Sequence, residues 1–143
     1  HRIHCPWDGE IIHSNHLGSS LYSVNKKAQE SIPRLYIKNE RSVMHIVSNS
    51  LEYALVSVGA SVVGSIVPFW IDNKECSRKE LVEEWKIGPP EDTKVKKGDE
   101  LAHFRMGSTV ILILKDSDKI DLDSLKENKL VKFGNKLVSL KNI

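Results

Sequence analysis

The residues best placed for chemistry sit where a glycine meets a serine ahead of an apolar run. His103-Phe104-Arg105-Met106-Gly107-Ser108-Thr109 leads directly into Val110–Leu114. A serine hydroxyl is a poor nucleophile until a base removes its proton. Placed immediately after glycine, it reaches the preceding carbonyl with little obstruction, because Gly107 has no Cβ and tolerates unusual backbone angles. Attack there converts the Gly107–Ser108 peptide bond to an ester. A Gly-Ser-Thr tripeptide also describes an ordinary polar turn before a buried strand, and taken alone it leaves both readings open.

Bases are available at the other end of the chain. His1 and His4 lie three residues apart, and imidazole suits proton transfer because it titrates near neutrality. On a regular strand the two rings point to opposite faces, so a turn or bulge before Pro6 is required if both serve one site. His1, His4 and Cys5, with His13, His16 and Cys76, make a metal reading conceivable. Their spacing fits no zinc template, and no metal is expected. His45 and His103 read as structural or surface histidines. Asp8, in the turn Trp7-Asp8-Gly9, reads as structural, and Asn39-Glu40-Arg41 as a buried polar network bracing the site. Gly59 and Gly64 are positions where backbone can approach a bound group closely.

The elements that must hold these groups are mostly strands. Ala54–Ile71 carries no charge and is near the length of a membrane span. Glycines, serines and Pro68 interrupt it, and its β-branched residues favour two buried strands joined at glycine. Leu35–Ile37 and Val43–Val47 read as strands, and Val110–Leu114 as a strand buried on both faces. Ser77–Trp85, with a capping-box pattern, reads as a helix, and Ser124–Lys129 as a short helical turn. A faint repeat, V-K-x-G-x-x-L, occurs at Val95–Leu101 and again at Val131–Leu137, each a strand entering and leaving a glycine turn. The expectation is one all-β domain of sandwich or barrel-like form over residues 1–143, with one or two short helices. A formal net charge of +2 is too weak to imply nucleic acid and permits contact with an anionic membrane surface. Two cysteines make no disulfide framework. The tail after Leu114, acids mixed with lysines, reads as solvated surface, with the lysines from Lys126 onward able to face lipid headgroups.

Over most of its length the chain resembles the phosphatidylserine decarboxylase family. The resemblance rests on His1-Arg2-Ile3-His4-Cys5-Pro6 with Asp8-Gly9, then Leu21-Tyr22-Ser23-Val24-Asn25 and Asn39-Glu40-Arg41. It continues through Val58-Gly59-Ala60, Val63-Gly64-Ser65-Ile66 and Lys97-Gly98-Asp99-Glu100-Leu101, in the family's order, up to the cleavage element. Met106 stands for the family's usual leucine and Arg105 for its lysine. The resemblance implies self-cleavage between Gly107 and Ser108, giving a β piece 1–107 and an α piece 108–143. Ser108 becomes a covalent pyruvoyl cofactor, which takes the substrate's amine and accepts the electrons released as carbon dioxide leaves. It further implies His4 as the base for cleavage and His1 as an aid to the later chemistry. Gly59, Gly64, Phe104, Met106 and Thr109 are expected to line the pocket. The family's acidic triad member lies upstream of the paired histidines, so an upstream segment is an expected partner, together with the phospholipid substrate and a membrane surface. The implied location is a membrane: the bacterial inner membrane, or in a eukaryote the mitochondrial inner membrane or endomembranes.

Two other readings stay open on sequence. A pyruvoyl decarboxylase of a free amino acid uses the same cofactor. A lipoyl- or biotinyl-type carrier domain uses similar glycine turns, although no lysine here sits at a suitable hairpin tip.

Overall fold

The computed structural model describes residues 1–18, 20–61, 66–71, 83–84, 93–105, 109–115, 117–123 and 125–141. Its strands are β1 (Arg2–His4), β2 (Gly9–Leu17), β3 (Arg41–Val47), β4 (Glu52–Val58), β5 (Ile66–Pro68), β6 (Glu83–Glu84) and β7 (Lys94–Val95). They continue with β8 (Glu100–Phe104), β9 (Thr109–Leu114), β10 (Ile120–Asp121) and β11 (Ser139–Leu140). Two short helices, α1 (Lys26–Ser31) and α2 (Leu35–Lys38), lie between β2 and β3. The all-β expectation holds.

A curled antiparallel sheet runs β6-β2-β3-β4-β9, with β7 also paired to β2, and a smaller sheet runs β1-β8-β5. Alternation explains the large sheet. On β3, Ser42, Met44 and Ile46 are buried while Val43, His45 and Val47 are half-buried, the period-2 pattern of a strand with one face on a core. The β3–β4 hairpin closes through Ser48, whose hydroxyl accepts from the Leu51 amide at 3.0 Å, a side-chain turn typical of serine. The core between the two sheets gathers Ile3, Ile11, Met44, Ile46, Tyr53, Leu55 and Leu101 among others. Residues of both sheets contribute, so the small sheet is bound to the large one by burial of apolar surface.

Several local expectations are corrected. Leu35–Ile37 is one turn of helix, not a strand. A three-residue apolar run carries no periodicity to distinguish the two, and this one follows Arg34 in the left-handed conformation, φ 59°. Of the stretch expected to be helical from Ser77 to Trp85, the described part, Glu83–Glu84, is extended and pairs with β2; residues 77–82 and 85 lie outside the described residues. Around Lys126–Lys129 a single tight turn, closed by Lys129 N to Lys126 O at 3.2 Å, replaces the expected helix. β9 is a strand as expected, yet it is not buried on both faces: Val110 and Ile113 are exposed. The reason is its place at the end of the sheet order, paired among the described strands with β4 alone.

Candidate active site

β1 is only three residues long, yet it fixes both histidines. It pairs antiparallel with β8, Arg2 opposite His103 and Ile3 opposite Ala102. His1 extends the ladder in both directions. Its amino group donates to the Phe104 carbonyl at 2.9 Å, and the Phe104 amide donates to the His1 carbonyl at 2.7 Å. The register then shifts between Ile3 and His4. It falls before Pro6, where an irregularity is expected if both histidines serve one site. Beyond it the Cys5 amide donates to the Asp99 carbonyl, and the Gly98 amide donates to the Cys5 carbonyl, each at 2.8 Å. Both histidines are therefore strung along the strand that ends at Phe104, immediately ahead of the Gly-Ser element.

Ile3 is buried, His4 is half-buried and His1 is exposed. The His4 ring lies against the Phe133 ring, centroids 4.5 Å apart and tilted by 53°. This contact joins the first strand to the C-terminal tail. Phe104 points into the core rather than into an open pocket.

After residues 106–108 the described chain resumes in the other sheet. Thr109 opens β9 opposite Val58, and Val110 lies opposite Ser57. Next to Val58, the Gly59 amide donates to the Glu40 carbonyl at 2.7 Å, and the Gly59 carbonyl accepts from Asn39 Nδ2 at 2.9 Å. The Asn39 side chain also closes a pair of hydrogen bonds with the Tyr22 backbone, at 2.9 and 2.8 Å. Asn39 is wholly buried, so its amide is the knot that ties Leu21–Asn25, Asn39–Arg41 and Gly59 together. The chain thus enters the 106–108 stretch from the small sheet and leaves it on the large one. Met106, Gly107, Ser108 and Gly64 themselves lie outside the described residues.

One feature went unseen in the sequence. His16 Nε2 stands 3.3 Å from Glu40 Oε1, and both side chains are almost fully buried. His16 is opposite Ser42 on β3, and Ser42 is opposite Ser57 on β4. The Ser14, Ser42 and Ser57 hydroxyls and Glu40 Oε2 are buried without a hydrogen-bond partner among the described residues. The alternation Ser14-x-His16 on a strand carried the only signal, and a histidine with its carboxylate 24 positions along the chain has no local signature.

Among the described residues the candidate metal ligands do not come together, and Cys76 lies outside those residues. Cys5 Sγ donates to the Trp7 carbonyl at 2.9 Å and lies 3.3 Å from Tyr53 Oη. Burial pushes its thiol pKa up, partly offset by the Tyr53 hydrogen bond. His16 faces the interior, and His45 Nε2 lies 3.0 Å from Glu52 Oε1 on the other face of the sheet. Asp8 Oδ1 accepts from the Lys97 amide at 2.6 Å, a structural bond between the first turn and the one before β8.

An all-β chain with His1 and His4 on the segment paired to β8 is what the structure shows, and the comparisons give its family. The family model for phosphatidylserine decarboxylase matches residues 1–139. The protein is similar to the phosphatidylserine decarboxylase proenzyme of Methylobacillus flagellatus, 32% identical over 84% of this chain and 42% of that one. It is 38% identical to that of Coxiella burnetii over 79% of this chain and 39% of the relative. With that of Nitrosospira multiformis it shares 31% identity over 94% and 47% respectively. The chain belongs to the phosphatidylserine decarboxylase family, and the carrier-domain alternative is set aside. It spans less than half the length of these three relatives. Among the described residues, no helix is long and apolar enough to cross a membrane.

Proposed function

We propose that this chain carries the catalytic part of a phosphatidylserine decarboxylase, which removes carbon dioxide from phosphatidylserine to leave phosphatidylethanolamine at a membrane surface. The observation that carries the reading is the pairing of β1 with β8, which lays His1 and His4 beside the strand leading into Gly107-Ser108. Both flanks of that junction are pinned in register, Phe104 by His1 and Thr109 by Val58. Pinned flanks support the reading, because a covalent cofactor needs its surroundings held in place.

In this reading His4 takes the Ser108 proton, and Oγ attacks the Gly107 carbonyl, giving an ester in place of the peptide bond. Loss of the Cα proton of residue 108 then expels the Gly107 carboxylate and leaves dehydroalanine. Water replaces its nitrogen, releasing ammonia and leaving a pyruvoyl group at the head of residues 108–143. That group, when formed, supplies an electron sink for the substrate's departing carboxylate. His1 holds or returns a proton on the exposed side of β1. Gly59 and Thr109, fixed by Asn39 and Val58, form the wall, together with Gly64 and Met106 of the expected pocket. The acid that orients His4 comes from an upstream segment, and the location is a membrane face.

Mass spectrometry of the full-length protein tests this. The expected result is two pieces split after Gly107, the second with a blocked, borohydride-sensitive N-terminus. Ser108→Ala leaves one uncut chain, and His4→Ala slows or stops the cut. A wild-type protein that decarboxylates phosphatidylserine with its chain continuous through Ser108 overturns the reading.

A further inference from the structure

The C-terminal tail is the most unusual surface of the molecule. β10 and β11 pair, Ile120 opposite Leu140 and Asp121 opposite Ser139, and Lys141 N donates to Lys119 O at 2.9 Å just outside them. Ile120 is buried, and Val138 and Leu140 pack on the core. Between these anchors, residues 122–138 form a loop of roughly 17 residues in which no described residue is helix or strand. Loops beyond about 12–15 residues without elements of their own are usually functional or disordered. This one is shaped, with tight turns closed by Leu125 N to Leu122 O and Asn135 N to Lys132 O.

Its composition is inverted for a solvated loop. Leu130 is 84% exposed and Phe133 80%, with Val131 and Leu125 also exposed. Around them stand Lys126, Lys129, Lys132 and Lys136, against only Asp123 and Glu127 on the same loop. Among the described residues, Lys126, Lys132 and Lys136 have no carboxylate at ion-pair distance. Lys126, Lys129 and Lys136 also border a pocket walled by Leu125, Leu130 and Leu137. Large apolar side chains held out in water beside lysines match the boundary of an anionic bilayer. There the apolar groups enter the acyl edge and the ammonium groups stay with the phosphates.

We infer that the 122–138 loop docks on an anionic phospholipid bilayer, Leu130 and Phe133 entering the membrane edge and Lys126, Lys132 and Lys136 binding lipid phosphates. The His4–Phe133 contact makes this more than an anchor. The residue that enters the bilayer edge is the one that packs on the candidate base, so docking brings the site's first strand to the lipid surface. The choice of partner rests on the proposed phospholipid reaction.

The test uses full-length Ser108→Ala protein and vesicles of phosphatidylcholine with phosphatidylglycerol, a lipid with no amine to react. A nitroxide is placed on Leu130→Cys and, as control, on the exposed Ile12→Cys of β2 in the large sheet, in a Cys76→Ser background. On vesicle-bound protein, the label at position 130 is expected to become accessible to oxygen and shielded from a water-soluble nickel relaxant, while the label at 12 stays in water. The triple change Lys126→Glu, Lys132→Glu and Lys136→Glu is expected to cut that immersion at least tenfold, as is high salt. A label at 130 that stays in water on bound protein overturns the inference and leaves the loop to a protein partner. Failure of the wild type to bind the vesicles overturns it too. Because the protein is uncleavable and the lipid inert, these results do not depend on decarboxylation. That reaction is assayed separately with the unsubstituted protein on soluble short-chain phosphatidylserine, so its failure and a failure of docking are told apart.

Discussion

Two segments of this chain spell the same turn and meet different fates. In both copies of V-K-x-G-x-x-L the residue after glycine donates its amide to the lysine three positions back. The two bonds, Asp99 N to Lys96 O and Asn135 N to Lys132 O, are each 3.0 Å. Both glycines take positive φ, 94° at Gly98 and 79° at Gly134, a conformation that residues with a Cβ rarely adopt. Around the first turn the flanks become strands, β7 and β8, with Val95 and Leu101 buried. Around the second no described strand adjoins the turn, and Val131 and Leu137 stay at the surface. The turn is thus written locally, whereas the strands beside it exist only where another strand waits to pair: β2 for β7, and β1 and β5 for β8. Local sequence proposes a reversal of direction, and tertiary contact decides whether it becomes a hairpin in the core or a loop in the solvent.

The sharpest way to break this comparison is to truncate the equivalent leucines. Leu101 is wholly buried and Leu137 is 39% exposed. Leu101→Ala is expected to cost about 2–5 kcal/mol, the range for a large-to-small change in a packed core. Leu137→Ala is expected to cost less than about 1 kcal/mol. Urea denaturation of the two variants measures both, and equal losses would mean that the second turn is packed as tightly as the first.

Replacing the glycines sharpens the point, because a Cβ at Gly98 or at Gly134 meets no atom within 4 Å. The penalty of Gly→Ala is then conformational alone, about 1–2 kcal/mol for a left-handed residue. At Gly98 the turn is fastened to Cys5 and to two strands, so the whole penalty is expected in global stability. At Gly134 the surrounding loop can readjust, and less than half is expected to appear. Thermal melts of the two variants check this.

The first turn alone is also tied to buried protonated groups. Burial is the main cause raising both the Cys5 thiol, whose ordinary value is 9.0, and the Tyr53 phenol. A group raised on folding stabilises the folded form fully below its ordinary pKa, and that contribution is lost as pH climbs past it, because the unfolded chain gives up the proton first. Between pH 8 and 9.5 the wild-type Tm is therefore expected to fall by a few degrees more than that of Cys5→Ser, which lacks the thiol's share. Identical pH slopes would dissociate Cys5 from the stability of the first turn.

The same contrast marks what could be read from residues alone. β3, β4, β5 and β9 announced themselves through β-branched runs, because side chains alternating on a pleat leave a pattern within one segment. The register shift after Ile3 was expected from the spacing of two histidines only on the condition that both serve one site. Leu35–Lys38 was too short to show a period, and its helical turn is set by Arg34 and by the Asn39 knot. The exposure of β9 depends on which strand ends the sheet, a fact of topology that Val110–Leu114 cannot contain. The pairing of His16 with Glu40 needs two strands and a helix to bring it about, so no spacing rule finds it. Ser108 reads as chemistry only through its sequence neighbours, and it lies outside the described residues.

The finest distinction between the two turns is a single side chain. Asp99 Oδ2 accepts from the Lys96 amide at 2.8 Å, closing the first turn a second time from the carboxylate side. Asp99→Asn keeps an acceptor oxygen but removes the charge that strengthens this bond, and because the site is exposed the cost is expected to stay near 0.5 kcal/mol. Its value lies in the direction of the converse change. If a carboxylate at this position of the turn is itself stabilising, Asn135→Asp should gain a comparable few tenths of a kcal/mol by closing on the Lys132 amide. If the benefit at Asp99 instead depends on the neighbouring strands holding Lys96 in place, Asn135→Asp should gain nothing. Amide hydrogen exchange at Lys96 and Lys132 reads the difference directly, since a bond made in either turn slows exchange of the amide it covers. Slowing at Lys132 as large as that lost at Lys96 would show that the second turn already has the order of the first and lacks only its partners.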